Sequence, residues 1–444
     1  MKKSILTLVT GCMLMAACTK NNAFSDTAIA STTFNGDLNR LSSVAKPSIP
    51  TGTFNITSYG ASTSSADNTT AVLNAVNAAS AAGGGTVIVP SGVFLCGPIV
   101  LKNNVGLQLS SGAVLKVLAY GAYPGSGGTA KLGNFINLDG LTNVKVSGAG
   151  TIDGQGAAWW SAYLTSRANG AAIGRPCMIG FASANKVEIS GITILNAPNV
   201  HIGVGKNSNN STIEGVTINS PDASPNTDGI DTWSPNVNII NCNISCGDDN
   251  IAMNNNSEYV TVSGCTFGTG HGCSIGSYTA NVNHITVDNC TFNGTDNGIR
   301  IKSNRTRSGT VQYLTYSNLV MTNVGTPISA LEYYPDNTLP SSPELDPAQA
   351  ITVTTPVWKH ILLKNITATG ASKAGNLWAV PEKPMSDVVF DNVKITASTG
   401  FRANYAGAVS FINGSKITVS SGNAFISTYA STITGINLTT GAAQ

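Results

Sequence analysis

Between Asn226 and Lys302 the chain sets out, in order, Asn226-Thr227-Asp228, Gly247-Asp248-Asp249, Gly270-His271-Gly272 and Arg300-Ile301-Lys302. Three carboxylates, an imidazole and two cations thus fall close together in a chain with only 10% charged residues. A typical soluble domain has about a quarter. Carboxylates brought together repel, which raises at least one pKa and keeps a proton available near neutral pH. One acid can then protonate a leaving oxygen while its neighbours activate water, the requirement for cutting a glycosidic bond. Cations beside them would bind a carboxylated sugar. Taken singly, each group has a plainer reading. An isolated Asp is usually a turn residue, a lone His a surface or core imidazole, and Arg300 with Lys302 a solvated strand face. The chemistry depends on their being aligned.

A repeat supplies the alignment. An apolar residue is followed two positions on by Gly or Asn, and three further on by another apolar residue. The pattern reads Ile189-Ser-Gly-Ile-Thr-Ile194, Ile213-Glu-Gly-Val-Thr-Ile218, Ile239-Ile-Asn-Cys-Asn-Ile244 and Val262-Ser-Gly-Cys-Thr-Phe267. It continues through Val287, Tyr316, Leu363 and Phe390, with starts 24, 26, 23, 25, 29, 47 and 27 residues apart. The 47-residue interval is expected to hold two periods. Repeats of this length cannot bury an apolar face alone and stack into a solenoid. Gly and Asn suit a left-handed bend between short strands, and the flanking alternation reads as strands. The expected fold is all-β, a single-domain parallel β-helix. Asp228 and Asp249 each stand two residues before an inward isoleucine, Ile230 and Ile251. They are therefore expected on consecutive coils about 4.8 Å apart, with Asp248 beside them, His271 on the next coil and Arg300 and Lys302 on the one after.

The remaining sequence fits such a scaffold. No linker divides residues 50–444, a length at which an ordinary single core stops growing. One short capping helix is expected at about Thr69 to Ala82, begun by Asp67 or Asn68 and ended by Gly83-Gly84-Gly85. It would cover the open N-terminal end of the coil. Lys2 and Lys3 before the apolar run Ile5 to Ala17 read as an export signal, too short to span a bilayer. Met15-Ala16-Ala17-Cys18 is similar to a lipoprotein processing site, so residues 1–18 are expected to be removed up to a lipidated Cys18. Residues 19–49 then form a Ser/Thr/Asn-rich tether. The protein is expected at the outer membrane or cell surface, with a periplasmic or fully secreted form as the alternative.

Loss of the leader lysines leaves 22 basic against 22 acidic side chains, so no global field selects a charged partner. No basic stripe with interleaved aromatics supports nucleic-acid binding. No Cys/His spacing matches zinc, and neither a metal nor another cofactor is expected. Of nine cysteines, Cys242, Cys265 and Cys290 share one repeat position and should stack inside. The pairing of Cys96, Cys177, Cys246 and Cys273 stays open. The protein is expected to be monomeric.

The four motifs together resemble those of the polygalacturonases of glycoside hydrolase family 28. Tyr59-Gly60-Ala61, the stretch from Gly83 to Gly92, and Gly150-Thr-Ile-Asp-Gly154 followed by Trp159-Trp160 resemble that family's N-terminal half. The resemblance implies a right-handed β-helix that hydrolyses α-1,4 galacturonan, or pectin, with inversion. It implies Asp248 as general acid, Asp228 and Asp249 as holders of the water, and His271 as tuner of the acid or guide for the substrate. Asn226, Arg300 and Lys302 would bind sugar hydroxyls and carboxylate, joined by Tyr334 or, alternatively, Tyr333. Trp159 and Trp160 would stack on sugars or pack beneath early coils. Asn250 stands where many members have Cys, which argues against a local disulfide. Retention of both Gly-His-Gly and Arg-Ile-Lys favours homogalacturonan over rhamnogalacturonan.

Endo action is expected, with an exo-acting or branched-pectin hydrolase as the alternative. The Pro-rich stretch Pro335 to Thr355 is long enough to block one end of a cleft. A calcium-dependent pectate lyase and a non-catalytic β-helix binding protein are the rival classes.

Overall fold

Every coil of this chain returns to the same three or four directions, so residues one repeat apart lie directly over one another. In the computed structural model, residues 43–335 and 338–444 are described. The leader, Cys18 and most of the tether lie outside them. From Thr53 to Thr434 the strands join one ladder, parallel throughout. The protein is a right-handed parallel β-helix. Just before its first strand, residues 45–48 already lie against it. Lys46 Nζ meets Glu214 Oε2 at 2.6 Å, and the Ser48 amide donates to Asn143 Oδ1 at 2.6 Å.

The repeat positions coincide with the strand register. Ile189 pairs with Ile213, Ile213 with Ile239, Ile239 with Val262, and Val262 with Val287. All are buried, and each isoleucine fully removed from water contributes about 1.5–3 kcal/mol. The bend residues adopt the left-handed conformation, with φ of 73° at Gly191, 53° at Asn241, 52° at Asn289 and 54° at Asn392. Cys242, Cys265 and Cys290 are buried at one position, and the seven cysteines among the described residues are all free thiols.

Two expectations need correction. Tyr316 pairs directly with Leu363, so the 47-residue interval is one coil carrying a long insertion, residues 332–356, and not two periods. A polar, Pro-rich segment cannot supply inward apolar residues, and a solenoid accepts extra length only at its turns. There is also a second helix. The expected α1 spans Thr69–Ala81 and buries Ala71, Val72, Ala75, Val76 and Ala79. Asp67 Oδ1 accepts the Thr69 amide at 2.8 Å. The unexpected α2 spans Gly156–Ala168. It buries Trp159 edge-on against Tyr120 and Tyr123, while the Trp160 indole donates to the Ala197 carbonyl at 3.0 Å. Both tryptophans therefore pack against the coil. No helix among the described residues is long and apolar enough to cross a membrane.

Seven strands on one wall position the site: β1 (Ile179–Phe181), β2 (Ile202–Val204), β3 (Ile230–Thr232), β4 (Ile251–Met253), β5 (Cys273–Ile275), β6 (Asn297–Lys302) and β7 (Thr326–Leu331). Ile202, Ile230, Ile251, Cys273, Ile299 and Ile328 stack inward. The outward position between the inward ones passes through Gly203, Asp231, Ala252, Ser274, Arg300 and Ser329.

Candidate active site

The register of β3, β4 and β5 aligns Ile230, Ile251 and Cys273. Asp228, Asp249 and His271 each precede one of these by two residues, so they climb the wall at one position on three successive coils. Backbone bonds fix the step: Gly229 N donates to Asp249 O at 2.9 Å, and His271 N to Asp248 O at 2.8 Å. The loop that presents His271 depends on its glycines. A Cβ at Gly270 (φ 132°) would come within 2.6 Å of Asn250 Oδ1, and one at Gly272 (φ 91°) within 2.0 Å of the Asn297 carbonyl. Asn250 is fully buried. Its Nδ2 donates to the Ile244 and Thr269 carbonyls at 3.0 and 2.9 Å, and its Oδ1 accepts Gly272 N at 2.8 Å. The residue that replaces the expected cysteine thus ties the Gly-Asp-Asp turn to the Gly-His-Gly turn.

Asp249 is the most heavily contacted carboxylate. Lys302 Nζ lies 2.7 Å from Oδ2, and Arg300 and the Ser274 hydroxyl lie 3.3 and 2.7 Å from Oδ1. Arg300 and Lys302 therefore share a face while Ile301 turns inward. Asp248 faces the other flank. Its Oδ1 accepts the Asp249 amide at 2.9 Å and lies 3.0 Å from His271 Nδ1, without the alignment of a hydrogen bond. Asn226 Nδ2 lies 3.3 Å from its Oδ2. Burial pushes the Asp248 carboxyl up, but His271, Lys302 and the Asp249 amide outweigh it and hold it below the usual range. The same contact with Asp248 raises the His271 imidazole above its ordinary value against the opposing effect of burial.

Asp228 behaves oppositely. Burial first, then repulsion from Asp231, Asp248 and Asp249, holds its carboxyl well above the ordinary range despite Lys302. Asp231, which sequence reasoning passed over, projects from β3 into the same cluster. Burial, with Asp249 and Asp248, pushes it up to about 8, and its Oδ1 has no hydrogen-bond partner among the described residues. Its position three residues after Asp228 marks it as outward and equivalent to Arg300, a signal the repeat contains. Two supports were also missed. His201 is fully buried, with Nδ1 2.9 Å from the Asp228 carbonyl and Nε2 2.9 Å from Ser220 Oγ, and burial lowers it to about 4. Arg175 donates to Asn226 Oδ1 at 3.1 Å and to the Pro198 and Pro225 carbonyls. Neither sits in a recognisable motif, and only the scarcity of charge in this chain would have singled them out.

Tyr334 and Tyr333 part company. The Tyr334 ring lies 5.2 Å from Lys302 Nζ. Tyr333 is buried on the far side, and its hydroxyl donates to Asp346 Oδ2 at 2.6 Å. The eight expected residues other than Tyr333 thus gather on one wall: acids and imidazole before the strands, cations and ring along and after them.

Residues 80–411 match the profile of Glycosyl hydrolases family 28. The chain belongs to this family. Within it, the protein is 31% identical over 332 residues to an endo-polygalacturonase of Pectobacterium carotovorum subsp. carotovorum, covering 70% of this chain and 79% of that one. It is 34% identical over 369 residues to an exopolygalacturonase of Zea mays, covering 80% and 86%. The solved polygalacturonase of Erwinia carotovora ssp. carotovora superposes with a TM-score of 0.69 at 29% identity, over 82% of this chain and 98% of that one. The family 28 enzyme is a glycoside hydrolase.

Donor atoms of Asp248, Asp249 and His271 lie within 4.8 Å of one another, close enough on distance alone for a cation. The donor set does not suit one, because Lys302 and Arg300 already occupy the two oxygens of Asp249.

Proposed function

We propose that this enzyme hydrolyses the α-1,4 linkages of homogalacturonan with inversion and acts within the chain. The observation that carries this reading is the stack of Asp228, Asp249 and His271 on successive coils, with Asp248 beside it and Lys302 and Arg300 across it. Such a wall offers a proton, a water-holding carboxylate pair and a cationic seat for one sugar carboxylate, all within a few ångströms.

Asp248 delivers the proton to the leaving oxygen. The opposite shifts of Asp248 and His271 leave the pair's proton on the imidazole, so His271 serves as the reservoir from which Asp248 is recharged. Asp228 and Asp249 hold the attacking water between them. Asp249 accepts its proton, and the protonated Asp228 orients it together with Asp231. Lys302 and Arg300 then have a second duty: besides tying Asp249, they face a substrate carboxylate, with Tyr334 beneath the sugar ring. Asn226, held by Arg175, presents an amide to a sugar hydroxyl. The leader supports export, with Cys18 as the lipid-bearing residue of an outer-membrane or cell-surface enzyme.

An exo-acting hydrolase is the second reading. It is favoured by the insertion after β7, which contributes Tyr334 itself and is pinned by Arg305 to Asp346 and by the Tyr405 hydroxyl to the Pro343 carbonyl. Polygalacturonate treated with the enzyme in the presence of a chelator should gain reducing ends, with no unsaturated products, and lose viscosity early. Unsaturated products or dependence on calcium would identify a lyase. Release of monomer at nearly constant viscosity would establish the exo reading.

A further inference from the structure

The acids precede their strands; beyond the far ends of the same strands runs a second track, to which only β4 adds no side chain. Lys206, after β2, lies 5.9 Å from the Trp233 ring, after β3. Trp233 meets Tyr278, after β5, with ring centroids 5.7 Å apart. Arg307, after β6, sits between two rings, 5.1 Å from Tyr278 and 5.5 Å from Tyr334, after β7. The track ends where Lys302 faces Tyr334. It follows the register from Val204 through Thr232, Met253, Ile275 and Ile301 to Ala330. Five coil steps amount to about 24 Å, room for several sugars including the one seated at the cations.

Packing alone does not account for this track. Tyr278 is 45% exposed, so its ring covers no core. Arg305 and Arg307 lie two residues apart and make opposite use of their charge. Arg305 is matched by Glu382 and Asp346 at 2.6 and 2.7 Å. Arg307 donates to the Ser277 hydroxyl at 3.2 Å, and among the described residues no carboxylate pairs with it. An unmatched guanidinium held between two aromatic faces is suited to an anion on an apolar ring, which describes a uronic acid.

We propose that Lys206, Trp233, Tyr278 and Arg307 form the track that carries a galacturonan chain past the cut bond on both sides. Trp233 and Tyr278 support sugar faces, and Lys206 and Arg307 take carboxylates of residues beyond the one at Arg300 and Lys302. The proposal rests on the homogalacturonan reading above. It makes the enzyme's preference for long chains a property of this flank, separate from the chemistry.

The test compares kcat and KM on polygalacturonate and on trigalacturonate for Trp233→Ala, Arg307→Ala and the exposed Lys206→Ala, with Arg307→Lys as the conservative variant. On the polymer, Trp233→Ala and Arg307→Ala should each raise KM about five- to tenfold with kcat nearly unchanged, the size expected for losing a partly desolvated ring or charge contact. Each variant should affect the trimer less than the polymer, least of all Lys206→Ala at the far end of the track, and Arg307→Lys should recover much of the loss. Lys206→Ala, which disturbs no packing, should weaken the dependence of polymer KM on salt. Equal effects on trimer and polymer, or unchanged KM in all three alanine variants, would overturn the track. Failure of the unsubstituted enzyme to cut polygalacturonate would instead overturn the homogalacturonan reading.

Discussion

Two columns of the same solenoid make opposite use of repetition. At the bend within the repeat, Asn318, Asn365 and Asn392 recur on successive coils. Each later amide donates to the one on the preceding coil, Asn365 to Asn318 and Asn392 to Asn365, both at 3.0 Å. On the wall of β2 to β7, the outward position changes at every rung, from Gly203 to Asp231, Ala252, Ser274 and Arg300. A column of one residue type satisfies itself and leaves nothing over for a ligand. A column that changes type brings unlike groups to coil spacing, where a carboxylate meets an imidazole or a lysine. In this fold, structure lies in the repetition and chemistry in the departures from it.

The contrast can be broken from either side. Asp248→Asn keeps the shape of the turn, because the amide oxygen can still accept the Asp249 N–H, but removes the transferable proton. Turnover of polygalacturonate should fall by about 100- to 10,000-fold with an unchanged melting temperature. Near-normal kcat would remove Asp248 from the acid role. Asn365→Ala should do the reverse. It deletes the ladder bonds and asks alanine to hold φ near 51°, costing about 2 kcal/mol of stability, read from denaturant unfolding, with kcat and KM unchanged.

The same contrast explains how much was legible in the sequence. Inward isoleucines and Gly/Asn bends repeat, so the β-helix and its register could be read from Ile189 onward. The site could be read because Asp228, Asp248, Asp249, His271, Arg300 and Lys302 interrupt that repeat in a chain poor in charge. A second left-handed bend stayed hidden, because Tyr259, His284, Tyr313 and His360 occupy it at φ of 53° to 57°. Tyrosine does not signal positive φ, and histidine does so less plainly than glycine or asparagine. They are held there by stacking on one another, with centroids 4.6 to 5.0 Å apart, a tertiary effect outside local preference. The Pro-rich loop after β7 was visible as a loop, but not as an insertion within one coil, because the interval it lengthens matched two repeats. Asp231 could have been read from its repeat position, whereas His201 and Arg175 were missed because their importance comes from burial beside the acids, and burial is a property of the assembled coil.

The central claim is that Asp248 and His271 act as one proton-holding pair because adjacent coils bring them together. The direct measurement is the pH dependence of kcat/KM for the wild-type enzyme and for His271→Asn. Asp248 raises the imidazole pKa, so the proton is held below that raised value and lost as pH climbs through it. The wild-type alkaline limb should therefore lie above 6.5, the ordinary imidazole value. In the variant the proton must reside on Asp248 alone, and the limb should move to lower pH, toward the carboxyl range, with a lower maximum. An alkaline limb at the same pH in both proteins would contradict the pairing and the alignment of coils that produces it.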